Sequence, residues 1–112
     1  MTQITFIDFE KIDIRAGTII KSELFPEARK PAYKIWVDFG PELGILKTSA
    51  QVTHHYTPET LINMRVLGLT NVGTKNIAGF ISEFLLLGLE DTQGTIQLVT
   101  FNGDVPNGNK LK

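Results

Sequence analysis

The chain offers few reagents for catalysis. Its only histidines, His54 and His55, are adjacent. Neighbouring side chains on regular backbone point in different directions, so the pair does not by itself converge on a metal. There is no cysteine, which excludes thiolate nucleophiles, disulfides and Cys-ligated zinc. Carboxylates would have to complete any metal site. No nucleophile elbow or Gly-rich phosphate loop frames a hydroxyl nucleophile. The residues predict a protein that is not an enzyme and carries no metal or cofactor.

What remains is the chemistry of binding. Arg29, Lys30 and Lys34 cluster after the first strand pattern, and Lys75 lies on a later polar loop. Between 28 and 75 there are six basic residues (Arg29, Lys30, Lys34, Lys47, Arg65, Lys75) and three acidic ones (Asp38, Glu42, Glu59), a balance of +3. The whole chain has 11 Lys+Arg against 12 Asp+Glu, net −1, so the remainder is −4, five basic against nine acidic. A local basic face guides a phosphate backbone, but the near-neutral total bounds its strength. Solvated surface would give the same count. Trp36 shares a strand face with Lys34, and an aromatic beside a cation stacks a base or grips an apolar side chain. Shielding of Trp36 by a loop or a second subunit is the plainer alternative.

The elements that must position these residues are mostly strands. At 112 residues, the length fits one domain with its own core. Residues 5–11 predict a helical turn or two, capped by Thr5, with Phe6 and Phe9 on one face. Residues 12–24 alternate: Ile12, Ile14, Ala16, Ile20 and Leu24 share one face, and Asp13, Arg15, Lys21 and Glu23 the other. That is a long, half-buried strand, with Gly17 predicting a bulge or bend. Tyr33, Ile35, Val37 and Phe39 form the buried face of a second strand. Gly40-Pro41-Glu42 reads as a tight turn before a third strand at 44–49. Thr57 followed by Pro58 marks a short helix capping the barrel. A fourth strand covers 64–70, a fifth runs to Leu89, and a sixth covers 96–101. Residues 102–112 form a turn-rich extension.

This order predicts an all-β fold, a five-stranded OB-type barrel with short helices. An SH3-like barrel or small sandwich is the alternative on pattern alone. Phe84-Leu85-Leu86-Leu87 is apolar on both faces, so something must cover the outer one. The Phe6/Phe9 turn could do so within the chain or from a second copy, and a homodimer is expected. No cationic leader precedes an apolar run, and the longest strongly apolar stretch, 84–89, is too short to span a bilayer. A soluble cytoplasmic protein without membrane insertion is expected.

Several stretches together resemble the stand-alone tRNA-binding-domain proteins, and within them the CsaA-type export-related chaperones of bacteria. They are Asp13-Ile14-Arg15-Ala16-Gly17-Thr18-Ile19, Phe25-Pro26-Glu27-Ala28-Arg29-Lys30-Pro31-Ala32-Tyr33-Lys34, Val37-Asp38-Phe39-Gly40, Thr48-Ser49-Ala50-Gln51-Val52-Thr53, Asn71, Ile77-Ala78-Gly79-Phe80, Ser82-Glu83 and Val105-Pro106-Asn107-Gly108. The resemblance spans nearly the whole chain. It implies an OB fold, a homodimer made with both termini, affinity for tRNA or other structured RNA, and an apolar pocket for unfolded or pre-export polypeptides.

Carried over position by position, it nominates Arg15, Lys34, Ser49, Asn71 and Ser82 for RNA, with Arg29, Lys30 and Lys75 as electrostatic support. Ser49 and Asn71 could instead hold turns, and Arg15 could pair with Asp13 or Glu83. Aromatic candidates for polypeptide are Trp36, Phe39, Tyr56 and Phe80. The family's cationic stretch, resembling Lys-Met-Arg-Gly, here looks like Asn76-Ile77-Ala78-Gly79. Its Ser-x-x-Met pattern here looks like Ser82-Glu83-Phe84-Leu85. Gly79 and Ser82 match, the cationic pair does not, and Leu85 replaces the Met. Fewer phosphate contacts imply weak RNA binding.

Overall fold

A computed structural model describes residues 1–112. Helix α1 (Phe6–Glu10) precedes the long strand β1 (Ile14–Leu24) and then β2 (Tyr33–Asp38). Helix α2 (Gly40–Leu43), β3 (Ile45–Ala50), helix α3 (Pro58–Leu61) and β4 (Arg65–Leu69) follow. Five short strands end the chain: β5 (Lys75–Ile77), β6 (Phe80–Ser82), β7 (Leu85–Leu86), β8 (Gly88–Glu90) and β9 (Ile96–Leu98).

The main sheet is antiparallel, in the order β3-β2-β1-β4-β7. Its free edges approach across residues 82–84. Glu83 N donates to Lys47 O at 2.8 Å, and Ser49 N to Ser82 Oγ at 3.1 Å. Buried Thr48 donates its hydroxyl to Phe84 O at 2.8 Å. These bonds nearly close the sheet into the expected OB-type barrel. Closure satisfies edge groups that would otherwise stand open for pairing.

The alternation in β2 is borne out: Tyr33, Ile35, Val37 and Phe39 are all buried. The β1 pattern is corrected. Pairing slips between Ile19 and Lys21, so Ile20 is an extra residue bulged out of the ladder. One inserted residue reverses every side chain beyond it. Ile19, just before the bulge and opposite Val37, lies in the core at 0% exposure, while Ile20 and Leu24 stand at 42% and 67%. Gly17 is not the bulge. A Cβ there would lie 2.5 Å from Val37 Cγ1, and one on Gly68 would lie 2.6 Å from Phe39 Cζ and 2.8 Å from Phe84 Cδ2. The two glycines clear space for Phe39 and Phe84, whose rings meet edge to face at 4.9 Å.

Thr57 caps α3 as expected, accepting from Thr60 N. The helix plugs one end of the barrel with fully buried Leu61. The capping box of α1 is also present, between Thr5 and Asp8. Residues 40–43 are a single helical turn rather than a simple tight turn. The expected fifth strand is divided among β6, β7 and β8, and the sixth shortens to β9.

The C-terminal extension runs along the first half of β1. Gly108 N donates to Ala16 O at 2.8 Å, Ala16 N to Asn109 O at 2.9 Å and Leu111 N to Ile14 O at 2.8 Å. Arg65 Nη2 donates to Val105 O, and Thr18 Oγ1 to Asn107 Oδ1 at 2.9 Å. Gly40 and Gly108 both take positive φ where these segments cross. A Cβ on Gly40 would fall 2.4 Å from Asn107 O.

Candidate nucleic-acid and polypeptide interface

A cleft of about 1110 Å³ lies between the β1–β2 loop, β3, the β4–β5 loop and the β8–β9 hairpin. Arg29 and Lys30 enter from the β1–β2 loop, and Lys75 from the start of β5. Ser49 and Ser82 sit between them, with their hydroxyls 3.3 Å apart. Val52, Ile77, Leu85, Leu87 and Ile96 contribute apolar surface. No carboxylate lines the cleft. Arg29, Lys30 and Lys75 take part in none of the molecule's ion pairs. Five of the eight residues nominated for RNA therefore converge on one cleft with an apolar interior. The Asn76-Ile77-Ala78 stretch, which resembles the family's cationic motif, lines the same cleft without its charges.

The outward face of β2 carries a second assembly. Lys34 Nζ lies 5.0 Å from the Phe25 ring and 5.2 Å from the Phe80 ring. Trp36 meets Phe80 edge to face at 5.8 Å. Lys21 Nζ stands 4.5 Å over the Trp36 ring. Lys47 Nζ lies 5.7 Å from Phe80 and 4.0 Å from Glu83 Oε1. Sequence reasoning passed over Lys21, Phe25 and Lys47. Strand alternation could have flagged Lys47 as an outward neighbour of Trp36. Alternation puts Lys21 on the polar face, but only the register of β1 against β2 sets it over Trp36, and only tertiary packing brings in Phe25.

The other nominated residues are held by internal contacts. Arg15 Nε donates to Asp13 Oδ1 at 2.7 Å, and its Nη1 to Gly108 O at 3.0 Å, with Glu42 3.6 Å away. Its ion-pair partners are Asp13 and Glu42, not Glu83. Burial works to raise the Asp13 pKa, but hydrogen bonds from Thr70 and Arg15 outweigh it and hold the carboxyl below its usual range. The hydrogen bond to Asp13 likewise raises the Arg15 pKa. Asn71 accepts from Asp13 N at 3.1 Å and donates to Lys11 O at 2.6 Å, which ties α1 to β4.

Of the four aromatics, none lines the cleft. Trp36 and Phe80 come together on the β2 face. Tyr56 lies elsewhere: its hydroxyl accepts from Leu98 N at 2.9 Å, and its carbonyl from Tyr33 Oη at 2.8 Å. Phe39 is fully buried and has no surface to offer a polypeptide. Alternation had already placed it inward, beside Tyr33, Ile35 and Val37. Nor does the Phe6/Phe9 turn cover the two-faced strand within the chain, since Leu85 remains 50% exposed and Phe6 86%.

The sequence model described as "Putative tRNA binding domain" matches residues 14–110, from the first residue of β1 to the C-terminal extension. The chain belongs to the tRNA-binding-domain family. The chaperone CsaA of Bacillus anthracis is 41% identical, with a TM-score of 0.91 over 99% of this chain and 100% of that one. The CsaA chaperone protein of Picrophilus torridus is 43% identical, with a TM-score of 0.90 over 98% and 100%. The methionine–tRNA ligase of Methanocaldococcus jannaschii is 31% identical over 112 residues. That match covers 100% of this chain but only 17% of the ligase, and its family is a binding domain, not a catalytic one. No helix in the structure is long and apolar enough to cross a membrane.

Proposed function

We propose that residues 1–112 form a single CsaA-like binding domain that works as a cytoplasmic homodimer and holds unfolded or pre-export polypeptides in the cleft. The carrying observation is the cleft's chemistry. Apolar side chains inside it accept varied sequence through contact area, while the polar side chains around them include no carboxylate. Identity above 40% to two CsaA chaperones across their whole length supports the same reading. The exposed apolar side chains of Phe6, Ile7, Leu85 and Leu89 support a second copy, because such surface is costly to leave in water.

The test is aggregation of a chemically unfolded client at a twofold molar excess of dimer. Suppression that is insensitive to moderate salt is expected, from protein sedimenting at twice 12.5 kDa. Leu85→Lys places a charge on a half-exposed apolar position and should abolish suppression while leaving the fold intact. Unchanged client aggregation with the unsubstituted protein would refute the proposal.

A second reading, binding of tRNA or other structured RNA, is compatible with the first. The specific support is the carboxylate-free margin of Arg29, Lys30 and Lys75, which would meet phosphates as a shape-reading surface. Ser49 and Ser82 would donate hydroxyl contacts between them. With the family's cationic pair replaced by Asn76 and Ala78, this binding is weak.

A further inference from the structure

We propose that Asn102 is a site of spontaneous covalent modification, where the side chain closes on the Gly103 backbone nitrogen and reopens to an isoaspartyl residue that loosens the C-terminal extension. The product is a substrate for an isoaspartyl O-methyltransferase. The identical dipeptide Asn107-Gly108 is protected by the fold. Neither the polypeptide nor the RNA reading above is needed for this.

Of the six asparagines, only Asn102 and Asn107 precede glycine. Glycine has no side chain to shield its own nitrogen from the preceding residue. The Gly103 N–H loses its proton, and the nitrogen forms a bond to Asn102 Cγ. The side-chain amide leaves as ammonia, taking up that proton. Water then adds to either carbonyl of the cyclic imide. One opening gives an aspartyl residue. The other breaks the original peptide bond and routes the main chain through Cβ and Cγ, the isoaspartyl form. One water enters and one ammonia leaves, with no oxidation or reduction.

The fold treats the two dipeptides differently. Asn102, Gly103 and Asp104 are all exposed. Thr100 Oγ1 donates to Arg65 O at 2.7 Å, and Val105 N to Gly103 O at 3.2 Å. Between those bonds, neither the Asn102 side chain nor the Gly103 N–H has a partner in the chain. A Cβ on Gly103 would meet no atom within 4 Å, so the ring and the incoming water have room. Asn107 is held instead. Its Oδ1 accepts from Thr18 Oγ1 at 2.9 Å and Arg65 Nη2 at 3.3 Å, and Gly108 N donates to Ala16 O at 2.8 Å. There the attacking nitrogen and the attacked side chain are both bonded, so closure waits on local opening.

Arg65 grips both ends of the 101–104 loop. Its carbonyl accepts from Thr100, its guanidinium lies 4.7 Å from the Phe101 ring, and its Nη2 donates to Val105 O. A main chain one carbon longer between these contacts no longer matches their spacing. The new carboxylate stands two residues from Asp104 and takes the formal net charge from −1 to −2, one added negative charge.

The test incubates the full chain in mildly alkaline buffer at physiological temperature. An isoaspartyl O-methyltransferase with labelled S-adenosylmethionine then counts the new carboxylates. Trypsin cuts after Lys75 and Lys110, and mass fragmentation of residues 76–110 assigns the converted residue. Conversion roughly tenfold or more faster at Asn102 than at Asn107 is expected, because only Asn107 must first break its bonds. In urea the two sites should react at similar rates. Asn102→Gln should remove most of the label, since glutamine needs a larger ring. Thr18→Val should speed conversion at Asn107 alone. In the converted chain, separated by ion exchange, the amides of Gly108 and Leu111 should exchange faster than in the parent. No conversion at Asn102, equal rates in the folded chain, or a difference that persists in urea would each overturn the site. Unchanged exchange at Gly108 and Leu111 would overturn the effect on the extension.

Discussion

Five hydrogen bonds converge on the Asp91 carboxylate. They come from Thr95 Oγ1 at 2.7 Å, His55 Nε2 at 2.8 Å, Gln93 N at 2.9 Å, Thr95 N at 3.1 Å and Gln97 Nε2 at 3.4 Å. The Thr95 hydroxyl and backbone bonds do most to pull its pKa far below 3.8, with the Gln93 amide and His55 adding to them. The histidine pair that offered no metal site thus supplies one member to a structural latch. It ties the β8–β9 hairpin to the loop after β3, and both line the cleft. A carboxyl whose folded pKa is depressed contributes stability above its unfolded pKa and loses it as pH falls through the folded one. The loss here begins below pH 3.8. Asp91→Asn should therefore melt a few degrees lower than the parent at pH 7, with the gap closing as pH drops below 3.8. Thermal melts followed by circular dichroism across pH 7 to 2.5 would check this, and a gap independent of pH would assign the effect to geometry alone.

At the scale of elements, β1 sets the site. Its bulge at Ile20 sets Lys21 opposite Trp36, while Ile19 before it points inward opposite Val37. Nothing in the local sequence distinguishes the extra residue, because Ile19 and Ile20 are the same side chain. Gly17 and Gly68 are legible as glycines in strands, but their purpose depends on rings from other elements. Gly68→Ala would drive a methyl to 2.6 Å from Phe39 Cζ. Forced repacking of this kind typically costs about 1–3 kcal/mol. Urea denaturation should show a loss of that size in unfolding free energy, read as a lower midpoint with an unchanged slope. A change under about 0.5 kcal/mol would mean that the Phe39–Phe84 pair is free to move aside.

For the molecule as a whole, the balance of 11 basic and 12 acidic residues conceals a division of labour. Of the six cations between 28 and 75, Arg29, Lys30 and Lys75 line the cleft. Lys34 and Lys47 serve the aromatic face, and Arg65 anchors the C-terminal extension through Val105. Only the cleft set is free of internal partners. With three phosphate contacts, tRNA affinity should fall roughly 20- to 40-fold between 50 and 200 mM salt. Gel shift or anisotropy would measure it, and a salt-independent signal would exclude phosphate contact at the cleft margin.

The positions of β1 to β4 along the chain, the inward face of β2 and the caps of α1 and α3 were determined by sequence, because each depends on neighbours within a few residues. So was the family, through short runs spread over most of the chain. The cleft, the latch and the aromatic cluster on the β2 face were decided only by tertiary structure. Each joins residues tens of positions apart, and the distance between them depends on register. Arg15 and Asn71 make the same point in reverse. Their types suit RNA, yet folding places each beside an internal partner that claims its hydrogen bonds.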